Sequence, residues 1–259
     1  MNNFTTVTEL PGGGATEEQL SMAITRYNLA ATLGKDKYIL EIASGSGIGF
    51  GIMANKAAKV VGCDIDPIQV KMGNDYYKGR FELLELSAVN LSYTDNSFDL
   101  VIILEAIYYI QNIEAFINEV KRILRPNGQL LISYPNKDWA NFNPSPYTYR
   151  YFEIEEMHHF LQQHRFDSTS YLGFLYRTDT LKSNILDIIR SLAVKFNLIP
   201  KSFVLKDILK RIFLGQLKPI PYELKESDGE LYPIVEYSSN KADYQSYRVI
   251  YTIGTLKTK

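Results

Sequence analysis

YILEIASGSGIGFGIMA, residues 38–54, is the stretch from which the fold can be read. Tyr38, Ile39 and Leu40 open an apolar, strand-like run that Glu41 interrupts; after Ile42 and Ala43 it gives way to Ser44-Gly45-Ser46-Gly47, and a helical pattern follows. An acid inside a buried strand, followed at once by glycines, describes a strand–turn–helix junction. Gly45 and Gly47 supply backbone conformations that a side chain would block, and such a turn aims N–H groups and a helix N-terminus at a ligand. A second apolar run, Val60-Val61-Gly62-Cys63-Asp64, also ends in an acid. Asp64 stands 19 positions after Gly45, close to the spacing of about 20 at which an acidic residue reaches a ribose hydroxyl in nucleotide-binding α/β folds.

Two cofactor classes share that geometry. A dinucleotide fingerprint G-x-G-x-x-G begun at Gly45 needs glycine where Phe50 stands, and begun at Gly47 needs it at Ile52. Only Gly49-Phe50-Gly51-Ile52-Met53-Ala54 fits the looser form ending in alanine, and it starts too far past the strand to make the first tight turn. Glu41-Ile42-Ala43-Ser44-Gly45-Ser46-Gly47 instead resembles the first motif of the class I S-adenosylmethionine-dependent methyltransferases, which usually carries glycine at the place of Ala43. LSYTDNSFDLVI, residues 91–102, resembles that family's L-P-F-x-D-x-S-F-D-x-V segment, with Ser92 replacing proline. VKRILRPNGQLLI, residues 120–132, is similar to its E-x-x-R-v-L-k-P-G-G-x-l-l-i segment, with Asn127 at the first glycine. Together with the Val60–Asp64 strand, these segments run in family order across residues 38–133. Bacterial members also resemble this chain in ELPGGGAT, residues 9–16, and in NKDWANFNPSP, residues 136–146.

The hydrophobic periodicity supports the same architecture independently. It predicts strands over 38–43, 59–64, 81–86, 98–104 and 129–134, separated by helices over 48–58, 67–78 and 112–124, which argues for a parallel sheet covered on both faces. Ligands then bind beyond the carboxyl ends of the strands, where Glu41, Asp64, Ser87 and Glu105 all fall. Ahead of this core, Thr16 and Gln19 form a capping-box start for a helix ended by Gly34, with Leu20, Ala23, Ile24 and Tyr27 on one face. Arg26 and Tyr27 on that helix are candidates to close over the cofactor, and the preceding Pro11-Gly12-Gly13-Gly14 reads as a flexible link.

The resemblance implies a doubly wound, Rossmann-like, seven-stranded, mostly parallel sheet completed by strands near 166–176 and 246–254, the last antiparallel. The expected organisation is an N-terminal segment and helix (1–35), an S-adenosylmethionine-binding α/β core (36–176), a helical insertion or cap (177–245) and a final strand (246–259). The resemblance also implies binding roles. Glu41 would hold the methionine part of the cofactor against the turn of Ala43, Gly45 and Gly47. Asp64 would accept the ribose hydroxyls, Ile65 would pack on adenine, and Ser87 with Ala88 would read the adenine edge, Ser87 standing where the family often has aspartate. Glu105 is a further cofactor candidate.

The implied activity is methyl transfer to a small molecule, such as a sugar or another biosynthetic intermediate, at oxygen or nitrogen. Glu105, Tyr108 and His158 are the candidates for a catalytic base. Aromatic faces at Tyr27, Tyr108 and Tyr109 suit a cationic sulfonium. NKDWANFNPSPYTYRY, residues 136–151, reads as a wall of the acceptor pocket. Its Asn143-Pro144-Ser145-Pro146-Tyr147 looks like the N-P-P-Y of amino-methylating enzymes, but it has an extra serine and follows the wrong strand. Glu105-Ala106-Ile107-Tyr108 occupies the proper place, so base methylation and a nucleic-acid partner are set aside. His158, His159 and His164 have no cysteine or carboxylate companion at metal-ligand spacing, so no metal is expected.

Composition narrows the remaining choices. A net charge of −1 and a pI of about 6.3 give no general attraction to nucleic acid. The lone Cys63, inside a predicted strand, reads as a core thiol in a reducing compartment. The N-terminus lacks a signal-peptide layout and no apolar run is long enough to span a bilayer, so the expected location is cytoplasmic. Residues 181–218 carry eight Lys/Arg against Asp187 and Asp207. With two predicted helices, 181–197 and 203–214, this segment is a candidate for a pocket cap, a homodimer contact or peripheral membrane contact. The rival functional readings are a non-catalytic scaffold with the same pocket and an NAD(P)-dependent oxidoreductase.

Overall fold

Alternating apolar strands and helices build the expected layers in the computed structural model, which describes residues 10–145, 147–175, 217–238 and 244–258. In chain order the elements are β1 (Gly14–Ala15), α1 (Glu17–Leu33), β2 (Tyr38–Ile42), α2 (Phe50–Ala54), β3 (Lys59–Asp64), α3 (Pro67–Tyr77), β4 (Glu82–Glu85) and β5 (Phe98–Leu104). There follow α4 (Ile113–Ile123), β6 (Leu124–Pro135), α5 (Ile154–Gln163), β7 (Phe166–Leu175), β8 (Lys218–Pro219), β9 (Ile234–Glu236) and β10 (Tyr247–Leu256).

The main sheet has the order β4-β3-β2-β5-β6-β10-β7-β9. Strands β4, β3, β2, β5 and β6 are parallel, and β10 enters antiparallel between β6 and β7. The sheet therefore holds eight strands where seven are expected, because the three-residue β9 adds itself to the edge beside β7. Two apolar cores flank the sheet, one with α1, α2 and α3 and the other with α4 and α5. Strand order reverses between β2 and β5, which leaves a crevice beyond their carboxyl ends.

Local chemistry sets the element ends. At α1 the Thr16 hydroxyl accepts from the Gln19 N–H at 3.1 Å while the Gln19 side chain accepts from the Thr16 N–H at 2.9 Å, the expected capping box. At α3 the Asp66 carboxylate accepts from the Ile68 N–H at 2.9 Å, with Pro67 at the first helical position. Helix α2 is shorter than the predicted 48–58: residues 48–49 belong to the turn that precedes it, and the chain turns again at 55–56. Strand β6 begins at Leu124, not at 129. Asn127 adopts a left-handed φ of 61°, and the pairing with β5 shifts register between Phe98 and Leu100, so the Pro-Asn-Gly is a bulge inside the strand.

The glycine-rich start is a tie. The Gly12 N–H donates to the Ile220 carbonyl at 2.8 Å, and the Ile220 N–H donates to the Gly13 carbonyl at 2.8 Å. A Cβ on Gly14 would stand 2.9 Å from Leu217 Cδ1, so glycine is what lets β1 lie against β8. The predicted helices at 181–197 and 203–214 lie outside the described residues. Residues 217–238, placed within the expected helical insertion, are largely extended, with one short turn at Glu226–Asp228. They run along α1, where the Glu230 N–H donates to Ser21 Oγ at 2.9 Å and the Tyr232 N–H to Thr25 Oγ1 at 3.1 Å.

Candidate functional site

Side chains alternate along β2, so Leu40 and Ile42 enter the core beneath α4 while Glu41 faces α1. Tyr27, on the buried face of α1, donates its hydroxyl to Glu41 Oε1 at 3.0 Å. Glu41 is 1% exposed, and Oε2 has no hydrogen-bond partner among the described residues. Burial is the main cause that pushes this carboxyl up to about 8, against the lowering effects of Tyr27 and Arg26.

The chain then turns through two left-handed residues, Ala43 at φ 56° and Gly45 at φ 58°. This turn is clamped from below. The Tyr77 hydroxyl donates to the Gly47 carbonyl at 2.6 Å, the Ser44 N–H donates to the Cys63 carbonyl at 3.0 Å, and a Cβ on Gly73 would lie 2.6 Å from the Ser46 carbonyl oxygen. Asp64 closes the turn from β3. Its Oδ2 accepts from the Gly45 N–H at 2.7 Å and its Oδ1 from the Asp66 N–H at 2.8 Å. Burial raises this carboxyl above its usual range, opposed by those N–H donors.

These residues border one cavity of about 910 Å³ at the switch point. Glu41, Ala43, Gly45, Asp64, Ile65, Ser87, Ala88, Glu105 and Tyr108 all reach its wall, as the strand-end reading expects. So do Arg26 and Tyr27. Ile65 and Ile68 present exposed apolar side chains after Asp64, at 57% and 62% exposure. Two candidates do not reach that wall. Gly47 is behind the turn, where its φ is a left-handed 77° and a Cβ would meet the Phe50 ring at 2.6 Å, so packing explains the glycine. His158 lies away from the cavity wall, its Nε2 2.8 Å from Ser170 Oγ. Ser170 continues through Thr252 at 2.8 Å to the buried Tyr134 hydroxyl at 3.1 Å, a network within β6, β7 and β10. Among the described residues of the expected wall at 136–151, only Tyr149 reaches the cavity. Tyr108 joins it to the rest of the segment: the Tyr149 N–H donates to the Tyr108 carbonyl at 2.9 Å, and the Tyr108 ring packs 5.1 Å from that of Tyr151.

The sequence reading missed Gln69 and Ser46. Both border the cavity, both are nearly inaccessible to solvent, and Gln69 Oε1 and Ser46 Oγ have no partner among the described residues. The one signal for them was a glutamine in the first turn of α3, directly after the Asp64 strand end. Among the described residues no group of three or more His, Cys, Asp or Glu is placed to hold a metal, and no helix is long and apolar enough to cross a membrane.

Comparison with known proteins gives this geometry a chemistry. Residues 40–132 match the family model described as a methyltransferase domain. A demethylmenaquinone methyltransferase of Tropheryma whipplei is 26% identical over an alignment covering 55% of this chain and 71% of that protein. A probable S-adenosylmethionine-dependent methyltransferase of Mycolicibacterium smegmatis is 28% identical, covering 55% and 56%. Residues 40–132 thus form a methyltransferase domain, and the relatives that align with it point to the class I S-adenosylmethionine-dependent type. Solved structures agree in fold. The [4+2]-cyclase SpnF superposes with a TM-score of 0.58 at 16% identity, covering 92% of this chain and 82% of its own. A putative methyltransferase of Bacillus halodurans does so at 0.54 and 15%, covering 92% and 100%.

The methyltransferase is thus an enzyme that uses S-adenosylmethionine, and the oxidoreductase and scaffold readings fall away. Its cavity suits that cofactor chemically. A buried acid with an unpartnered oxygen suits an ammonium, a second acid at the neighbouring strand end suits vicinal hydroxyls, and exposed isoleucines suit a flat purine.

Proposed function

We propose that this methyltransferase acts on a small molecule with a flat, apolar body, and that Glu41, Asp64 and the 43–46 turn hold the methyl donor while the acceptor enters beside Tyr108, Tyr109 and Tyr149. The carrying observation is Glu41 Oε2, a buried carboxylate oxygen with no described partner on the wall of the cavity. Leaving such a group unpaired is costly, so a donor group on the bound cofactor is the natural complement. Arg26, buried at 8% exposure on the same wall, is the matching cation for a carboxylate. Asp64 accepts the ribose hydroxyls, Ile65 packs on the adenine, and the backbone at Ala88 with Ser87 meets its edge.

When bound, S-adenosylmethionine supplies an activated methyl group on a cationic sulfur. The chain's own task is alignment, which can contribute up to about 7–11 kcal/mol of barrier reduction. The cavity wall as a whole is predominantly apolar, and the tyrosines, Ile110 and Met22 contribute to it, which favours a ring compound over a sugar. The names of relatives lean the same way: one is a demethylmenaquinone methyltransferase, and another, from Mycobacterium leprae, is a phthiotriol/phenolphthiotriol dimycocerosates methyltransferase, 32% identical over 45% of each chain.

Calorimetry with S-adenosylhomocysteine tests the donor site. Binding is expected, with a rise in thermal midpoint equivalent to about 2.7 kcal/mol at a hundredfold excess over Kd, and NAD is expected to give neither. Absence of heat with both S-adenosylmethionine and S-adenosylhomocysteine would overturn the proposal.

A further inference from the structure

Glu105 stands one residue beyond β5 with a left-handed φ of 53°. For a residue with a full side chain this is a disfavoured backbone state, and it persists only where the surroundings impose it. Here they do. The Glu105 N–H donates to the Ser133 carbonyl at 3.0 Å and also lies 3.2 Å from Ser133 Oγ. The Ser133 hydroxyl donates in turn to Glu105 Oε1 at 3.0 Å. Ser133 is fully buried on β6, opposite Leu104 in the ladder, so its own position is fixed by the sheet. One serine thus holds both the backbone and the carboxylate of Glu105, and the carboxylate sits on the cavity wall with Tyr108, Tyr109 and Tyr149.

The donor-side acids are on β2 and β3; Glu105 follows β5, across the switch point and next to the aromatic wall. The geometry points to Glu105 as the proton acceptor for an acceptor hydroxyl, with Ser133 as its positioning residue, so that the substrate class is a hydroxylated ring compound methylated at oxygen. This rests on the function proposed above. In the step, the acceptor O–H proton passes to the Glu105 carboxylate, the oxygen forms a bond to the methyl carbon, and the carbon–sulfur bond breaks with its electron pair kept by sulfur. The donor leaves as a neutral thioether, and Glu105 later returns the proton to water. The titratable groups facing Glu105 are Tyr108 and Tyr109 from the following turn and Tyr251 from β10, with Arg26 from α1 acting on Tyr108 and Tyr251. Tyr108 and Tyr251 are phenols held above their ordinary range by burial first and then by the Glu105 charge, so neither competes as a base near neutrality.

The test uses the full chain, a methyl-labelled donor and four probes: 1,4-naphthohydroquinone, catechol, methyl glucoside and benzylamine. Mass spectrometry of the product reads the methylated atom. We expect O-methyl product from one or both hydroxyaromatics. Glu105→Gln is expected to lower kcat by about 10²–10⁴-fold with KM little changed and with the S-adenosylhomocysteine Kd within about threefold of the parent. Retained cofactor affinity also shows that the variant folds. Ser133→Ala is expected to lower kcat by about ten- to a hundredfold and to move the acidic limb of the kcat–pH profile, with Ser133→Thr restoring both. Product methylated at carbon or nitrogen, an unchanged kcat in Glu105→Gln, or no turnover of either hydroxyaromatic by protein that binds S-adenosylhomocysteine would overturn the inference. So would a Glu105→Gln variant whose main defect is cofactor affinity. Failure of the parent chain to bind S-adenosylhomocysteine would instead remove the function on which it rests.

Discussion

Glu41 is the residue whose environment predicts the most. In the folded chain it keeps its proton to about 8, whereas its ordinary value is 4.5. Between those two values the folded state binds more protons than the unfolded one, so this group's contribution to stability is greatest at low pH and declines as pH rises through that window. The ligand-free thermal midpoint should fall from pH 5 to pH 8 by an amount equivalent to a few kcal/mol. Glu41→Gln should flatten that dependence, raise the midpoint at pH 8, and at the same time lose the S-adenosylhomocysteine-induced rise. Parallel pH curves for the two proteins would refute this account. Glu41 and Asp64 were legible in the sequence because a strand's period of two and one glycine turn suffice to locate them. His158, one of three candidate bases, lies away from the cavity for a reason local pattern cannot see: its partner Ser170 comes from β7. Gly47 was assigned to the ligand because sequence shows that a glycine is needed but not what its Cβ would strike, here the Phe50 ring.

At the scale of elements, Arg122 joins two segments that the family pattern places far apart. From the last turn of α4 it donates to the Leu91 carbonyl at 2.7 Å and the Tyr93 carbonyl at 2.6 Å, and pairs with Asp95 at 3.0 Å and Glu119 at 2.9 Å. Glu119 completes the knot by accepting from the Leu91 N–H at 2.7 Å. Arg122→Ala should therefore cost about 2–3 kcal/mol, since charged donors to backbone carbonyls are among the stronger hydrogen bonds. Chemical denaturation checks it, and Arg122→Lys should recover only part, lacking the planar fork. A loss below about 0.5 kcal/mol would place Arg122 among ordinary surface cations. The alternating core was readable because β2, β3, β5 and β6 are apolar runs of ordinary length with helices between. The start of β6 was not, because Pro126 and Gly128 normally end an element and only the register shift opposite β5 keeps them within one. Nor was β9, three residues paired with β7 though distant from it in sequence.

For the molecule as a whole, the cavity is an assembly of distant segments: Gln19 to Tyr27 from α1, the turns after β2, β3, β4 and β5, and Tyr149. Binding of S-adenosylhomocysteine should therefore slow amide hydrogen exchange at residues 43–48, 64–69, 86–89 and 105–112, leaving α5 at 154–163 unchanged. Mass-resolved exchange with and without the ligand reads this directly; protection that spread evenly over α5 would point to global stabilisation instead. Tyr27 reaches Glu41 from α1, and β8 ties the start of that helix to residues 217–220. The recognisable domain, residues 40–132, contains neither. A dissection at residue 36, which the motif pattern invites, would cut the pocket in two: the excised α/β piece would keep every signature glycine and acid yet lose the phenol that steadies the first of them.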